Sequence, residues 1–223
     1  DDSNFGDMDV LGAGRIVGEV SASFDRYWNS ELAYPVAALG ASGDPALLAR
    51  ARDILAAKTA SLAASSYGRR LRASNLAQAI AQRDLPFYWA PARLLCDLPE
   101  KVLADPDDRS THLGPELDAL LRSARRELLA ISPYFVPGKR GTALLTALAA
   151  RGVRVTIVTN SLASTDVPAV HAGYARYRRR LVAAGIELYE MRPTAPLAAG
   201  NDRDGGGSRE SLHAKTFAID GEQ

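Results

Sequence analysis

The sequence predicts an α/β fold in which helices flank both faces of a largely parallel sheet. Three observations carry that reading. From about residue 89 onward, strand-like apolar runs alternate with amphipathic stretches of helical spacing. Glycines stand where two of those helical stretches end, at Gly152 and Gly185. The 223 residues, 47% hydrophobic and 24% charged, suffice for a substantial core.

In chain order, Met8-Asp9-Val10-Leu11 reads as a short strand closed by Gly12-Ala13-Gly14. An amphipathic helix follows from Ile16, with Val17, Val20, Phe24, Tyr27 and Trp28 near helical spacing, and Tyr27 and Trp28 read as core anchors, not a binding box. Residues 34–83 are rich in Ala, Leu and Arg. Asp44-Pro45 starts a helix over 45–65, and Ser74 caps another over 74–83. This region reads as connection and packing, and exposed Ala-rich helices also admit a membrane-surface or partner contact. Next come a strand over 90–96 and a helix over 115–127 that buries Leu117, Leu120, Leu121, Ala124 and Leu128. A strand over 128–134, a helix over 141–150 and a strand over 153–159 continue the alternation. A helix over 167–184 and a strand over 186–189 complete it. Polar, glycine-rich residues 200–209 predict an exposed, mobile loop before a last strand.

That last strand holds the chemistry. It reads Ser211-Leu212-His213-Ala214-Lys215-Thr216-Phe217-Ala218-Ile219-Asp220-Gly221, with Asp220-Gly221 as its closing turn. On a strand, His213 and Lys215 project from one face. An imidazole beside an ammonium can make or break a covalent bond to phosphorus while holding the phosphate's charge. Asp220 falls on the other face and reads as a strand-end orienting or structural carboxylate. A core histidine and a snorkelling lysine are the plainer account of such a pair. Yet with three His, four Lys and seventeen Asp in the chain, chance gives a His-x-Lys-x4-Asp match in roughly half a percent of such compositions.

Ligands of open α/β sheets sit beyond the carboxyl ends of the strands. Two such ends carry polar residues, around Ser132-Pro133-Tyr134 and over Thr159-Asn160-Ser161 to Asp166. Ser132, Tyr134, Asn160 and Ser161 are therefore candidate donors to phosphate oxygens or a headgroup, though Ser and Asn equally serve as local capping residues. His171 either reaches the same pocket or faces solvent, and His112 sits in a polar loop without an assigned role. Arg176, Arg178, Arg179 and Arg180 form a solvated helix face.

A net charge of +1 supplies no field that demands nucleic acid or an anionic membrane. Cys96 is the sole cysteine, so no disulfide forms within the chain. No His/Cys cluster has metal-ligand spacing, and no apolar run is long enough to span a bilayer. The start at Asp1-Asp2-Ser3-Asn4 and the stop after a turn make both ends read as cut.

The His-x-Lys-x4-Asp pattern resembles the signature of the phospholipase D superfamily, and the wider chain looks most like its bacterial phospholipase D and cardiolipin synthase branch. Phe24 and Trp28 match the family's Phe-x3-Trp helix. The Ser132-Pro133-Tyr134-Phe135-Val136-Pro137 turn, the Asn160-Ser161 loop and Gly185-Ile186-Glu187-Leu188-Tyr189 match further segments. The resemblance implies αβα layers in two similar halves, each supplying one motif. Residues 1–88 would end the first half and connect it, and 89–223 would hold most of the second. It implies a phosphohistidine intermediate, with His213 as general acid and then base, Lys215 on a phosphate oxygen, and Asp220 completing the motif. No cofactor and no metal are implied. The substrate would be a phospholipid diester met at a membrane surface in a bacterial membrane or cell envelope, and the other motif would lie in a first half missing here. The Gly-Ser-x-Asn segment expected after the motif is missing too. A nucleic-acid phosphodiesterase of the same superfamily and a catalytically incomplete fragment are the alternatives; the near-neutral charge weighs against nucleic acid.

Overall fold

The computed structural model describes residues 3–40, 44–105, 107–192 and 209–221. The chain divides into two units, Ala13–Val102 and the joined segments Asp1–Gly12 and Leu103–Gln223.

The Ala13–Val102 unit contains α1 (Arg15–Trp28), α2 (Pro45–Ala64), α3 (Ser66–Arg72) and α4 (Asn75–Gln82). Two of the starts follow from capping chemistry. Asp44 accepts the Ala46 N–H at 2.9 Å with Pro45 in the first turn, and Ser74 accepts the Ala77 N–H at 3.2 Å. The short α3 was not anticipated. Ser65 caps it by accepting the Gly68 N–H at 3.0 Å, and a Cβ on Gly68 would lie 2.3 Å from the Leu62 carbonyl oxygen. Only glycine closes that turn.

Two expectations fail in this unit. No strand forms over 90–96, because Pro91 offers no N–H and the neighbouring backbone is engaged by α1 side chains. Leu94 N–H donates to Glu19 Oε2 at 3.0 Å, and the Tyr27 hydroxyl donates to the Asp97 carbonyl at 2.8 Å. Tyr27 and Trp28 are 44% and 69% exposed, so they do not anchor a core within this chain, and Trp28 stacks on the exposed Phe24 with centroids 5.6 Å apart.

The other unit carries β1 (Ser3–Gly6), α5 (Gly114–Arg122), β2 (Glu127–Ile131), α6 (Gly138–Ala150), β3 (Arg154–Asn160), α7 (Pro168–Ala183), β4 (Glu187–Met191), β5 (Arg209–Leu212) and β6 (Thr216–Ile219). Strand order is β4-β3-β2-β6, with β2, β3 and β4 parallel and β6 antiparallel to β2. The sheet is thus the largely parallel, mixed one that the alternation predicted. Leu128, Ala130, Val155 and Ile157 bury one face against Leu144 and Leu148 of α6 and Leu181 of α7. Alternate positions point the other way, where Leu129 and Tyr189 are 37% and 56% exposed. Gly152 and Gly185 follow α6 and α7 at φ +86° and +81°, the left-handed turn that ends a helix.

The motif is not one strand. β5 pairs with β1 in a separate two-stranded parallel sheet, Ser3 opposite Arg209 and Gly6 opposite Leu212, while β6 belongs to the main sheet. Residues 213–215 bridge the two. The Gly6 carbonyl accepts both the His213 and Ala214 N–H groups, at 2.8 and 3.2 Å, which ends the β1–β5 ladder there. The first strand accordingly lies at Ser3–Gly6 and not at 8–11, where Val10 and Leu11 are exposed. The loop expected over 200–209 falls mostly outside the described residues.

Candidate active site

The bridge between β5 and β6 is where polar groups converge. His213 follows directly on β5, and Asp7 follows directly on β1. Parallel pairing of the two strands therefore delivers both residues to one spot, 206 positions apart in sequence. His213 Nδ1 and Asp7 Oδ2 are 2.7 Å apart, with side-chain exposures of 42% and 43%. On the other side of the ring, Lys215 Nζ lies 3.1 Å from His213 Nε2 and donates to the His213 carbonyl at 2.8 Å. A lysine ammonium only donates, so this network assigns the lone pair to Nε2 and the proton to Nδ1, where it meets Asp7. The His213 hydrogen bond, and next the Met8 N–H, hold the Asp7 carboxyl below its ordinary range.

His213 and Lys215 thus come together as the motif predicted, but by a different route. An irregular bridge, not the face of a strand, brings the ammonium back over the ring.

Tyr134 joins them from the loop after β2. Its ring stands edge-on to His213 with centroids 6.3 Å apart, and Lys215 Nζ is 5.5 Å from its centroid. The phenol donates to Asp166 Oδ2 at 2.8 Å, and that bond, with burial second, pushes the phenol's pKa up.

Asn160 lies behind the site and 2% exposed. Its Oδ1 accepts the Leu212 N–H at 2.9 Å, and its Nδ2 donates to the Leu212 carbonyl at 3.0 Å and to Ser211 Oγ at 3.2 Å. The side chain therefore pairs with Leu212 as a neighbouring strand would, one residue before His213. Ser161 turns to the adjoining loop, its hydroxyl 3.1 Å from Ser164 Oγ. Ser132 extends β2 by donating its N–H to the Val158 carbonyl at 3.0 Å.

Asp220 stands at the opposite end of β6. The β2–β6 register sets Ile219 against Leu128 and Thr216 against Ile131. Asp220 is therefore roughly a 13 Å strand length from the His213 end. Its carboxylate accepts the N–H groups of Arg125, Arg126 and Glu127, at 3.0, 2.7 and 3.0 Å. The Glu127 and Arg126 bonds chiefly hold its pKa below the usual value. It fixes the start of β2 to the end of β6.

Asp7 and Asp166 were absent from the sequence-derived site. Asp166 had a signal, since it closes the polar stretch singled out after β3. Asp7 had none, because its partner is set by long-range strand pairing. His171 stacks edge-on to Tyr174, and its Nδ1 is buried without a hydrogen-bond partner among the described residues. No group of three or more His, Cys, Asp or Glu among the described residues is placed to hold a metal ion.

A family model described as the phospholipase D-like domain of cardiolipin synthase matches residues 117–223. Cardiolipin synthase C of Escherichia coli K12 is 36% identical over 97% of this chain and 46% of that protein. An uncharacterized protein of Helicobacter pylori 26695 is 29% identical over 98% of this chain and 43% of its own length. Cardiolipin synthase B of Escherichia coli K12 is 34% identical over 33% of this chain and 17% of its own. The chain spans less than half the length of these curated relatives. The crystal structure of phosphatidylserine synthase from Haemophilus influenzae Rd KW20 aligns with 50% of this chain and 26% of that one, at 15% identity and a TM-score of 0.36, a likeness too slight to argue from.

Proposed function

The chain belongs to the phospholipase D superfamily, and on that premise we propose that it carries one side of a phosphatidyl-transfer site of the phospholipase D or cardiolipin synthase type. The line Asp7–His213–Lys215 carries the reading. A carboxylate holds Nδ1, Nε2 is left to exchange protons, and an ammonium stands 3.1 Å away. Asp7 stabilises the imidazolium whenever Nε2 takes a proton. An entering phosphodiester draws Lys215 onto one of its oxygens, which frees Nε2 for the reacting centre.

A second histidine, from a matching motif outside this chain, attacks phosphorus. Once Lys215 has moved onto the phosphate, Nε2 takes a proton from solvent; the bond to the leaving alcohol then breaks as a phosphohistidine forms, and His213 gives that Nε2 proton to the departing alkoxide. An acceptor hydroxyl then loses its proton to His213 while its oxygen displaces the attacking histidine from phosphorus. With water the product is phosphatidic acid; with a phosphatidylglycerol hydroxyl it is cardiolipin. Asp220 acts as a structural clamp in this scheme, and Asn160 sets the backbone from which His213 projects. The protein works at a membrane surface, and no helix among the described residues is long and apolar enough to cross one. The 223 residues alone turn over negligibly, because the attacking histidine is elsewhere.

The test uses the full-length protein with His213→Asn and a diester bearing a highly acidic leaving group. That substrate still forms a covalent phosphoenzyme, since its leaving group needs no proton, while ordinary phospholipid does not react. If no adduct forms with either and a variant of the upstream histidine traps one, His213 is the nucleophile and the assignment is reversed.

A further inference from the structure

The proposed substrate resides in a bilayer, and on that reading we propose that residues 45–83 are the element that docks this protein onto an anionic phospholipid surface. The segment carries seven basic side chains against the single carboxylate of Asp53, a net +6 within a chain whose formal charge is +1. Positive charge is therefore concentrated in these helices, and the rest of the chain is net negative.

Apolar side chains lie between those charges. On α2, Leu47, Leu48, Ile54, Leu55 and Leu62 are 48–64% exposed. At 3.6 residues per turn they share an arc of about 120°. Arg50 and Arg52 border that arc on its two sides, and Lys58 falls within it. Tyr67 and Leu71 on α3, and Leu76 and Ile80 on α4, are i,i+4 pairs that are 54–64% exposed. Leucine and isoleucine flanked by arginine suit the boundary between acyl chains and headgroups. Lys58 discriminates between occupants. A protein surface covering the arc must bury its ammonium or supply a carboxylate, whereas a bilayer lets it reach anionic headgroups while its stem stays apolar. Nucleic acid would use the cations but has no place for the leucine face.

The experiment measures binding of the purified chain to vesicles of phosphatidylcholine with equal phosphatidylglycerol, and to phosphatidylcholine alone, by co-sedimentation. Hydrogen exchange then locates the protected amides. Arg50→Gln, Arg52→Gln, Lys58→Gln and Arg70→Gln are combined in one variant. Arg69 and Arg72 are kept, because they donate to the Ala64 and Ala63 carbonyls at the α2–α3 turn. Leu48→Gln with Leu55→Gln forms a second variant; Arg176→Gln with Arg179→Gln on α7 is the control outside the segment, compared charge for charge with Arg50→Gln and Arg52→Gln alone. Circular dichroism verifies that each is folded. The expected result is selective binding to the anionic vesicles with protection in 45–83. It weakens at least about tenfold in both segment variants and persists in the control. Equal loss in the control, binding unaffected by the segment variants, tighter charge-dependent binding to duplex DNA, or a dimer that Leu48→Gln dissociates would each overturn the proposal. Vesicle binding involves no turnover, so His213→Asn leaves it intact. Conversely, if docking fails while the full-length protein still transfers headgroups in detergent micelles, the catalytic reading stands and this one falls.

Discussion

Replacing Asn160 by Ala tests how His213 is held. The side chain is buried and makes two hydrogen bonds to the Leu212 backbone, at 2.9 and 3.0 Å, in place of a neighbouring strand. Alanine strands one N–H and one carbonyl. A buried polar group left unpaired costs roughly 1–3 kcal/mol, and a typical hydrogen bond contributes about 1 kcal/mol net. Leu212 is only partly buried, so water reaches it and the lower end of that range applies. The two groups together predict a loss of about 2 kcal/mol. Denaturant unfolding of the chain reads the loss as a lower midpoint at unchanged slope. Hydrogen exchange reads it locally, as lost protection at the Leu212 amide with β3 amides other than 160 little changed. A stability change under about 0.5 kcal/mol with Leu212 still protected would refute the reasoning. A raised KM in the full-length protein without any stability change would instead make Asn160 a substrate ligand.

Asp7→Asn in the full-length protein should lower kcat by about 10²–10⁴-fold with KM little changed, since the amide no longer stabilises the imidazolium; steady-state kinetics at near-normal activity would remove Asp7 from the site. Tyr134→Phe keeps the ring beside His213 and Lys215 but loses the bond to Asp166, so activity falls only a few-fold, on the order of a weak polar contact, and Tyr134→Ala falls further; equal losses would deny the ring a role. Asp220 has a carboxyl pKa lower in the folded chain than its ordinary 3.8, so its contribution to stability is present above that value and is lost as the pH falls through the lowered one. Asp220→Asn should therefore be less stable than the parent at neutral pH, with a gap that narrows below the ordinary carboxylate range, and a gap independent of pH would show that its three N–H bonds do not favour the ionised form.

Local chemistry made much of the fold legible. β3 has the alternation of a half-buried strand, α6 and α7 end at glycines that take φ above +80°, and Asp44 and Ser74 cap as their residue types require. Partner choice was not legible. Residues 90–96 look as strand-like as β2, but Pro91 has no N–H and the Leu94 N–H is taken by Glu19 of α1, and no ladder forms there. The motif looked continuous because its apolar spacing is continuous; the break at His213 is imposed by the Gly6 carbonyl, which sequence spacing cannot reveal. Asn160 was noticed for its polarity and position beyond β3. Its burial, which turns it from a ligand donor into a backbone partner, came only with the packing.

The joining of β1 to β5 has a temporal side. During synthesis, Asp7 is made about 200 residues before His213, an interval of roughly 10–40 s at cellular elongation rates. Through that time the β5 strand that β1 pairs with is not yet made, and the loop this pairing must close spans about 200 residues, which places the step among the slow, non-local ones. The helical segments can settle meanwhile. The imidazole is made last and only then meets the waiting Asp7 carboxylate, so the nascent chain acquires its helices well before it acquires its chemistry.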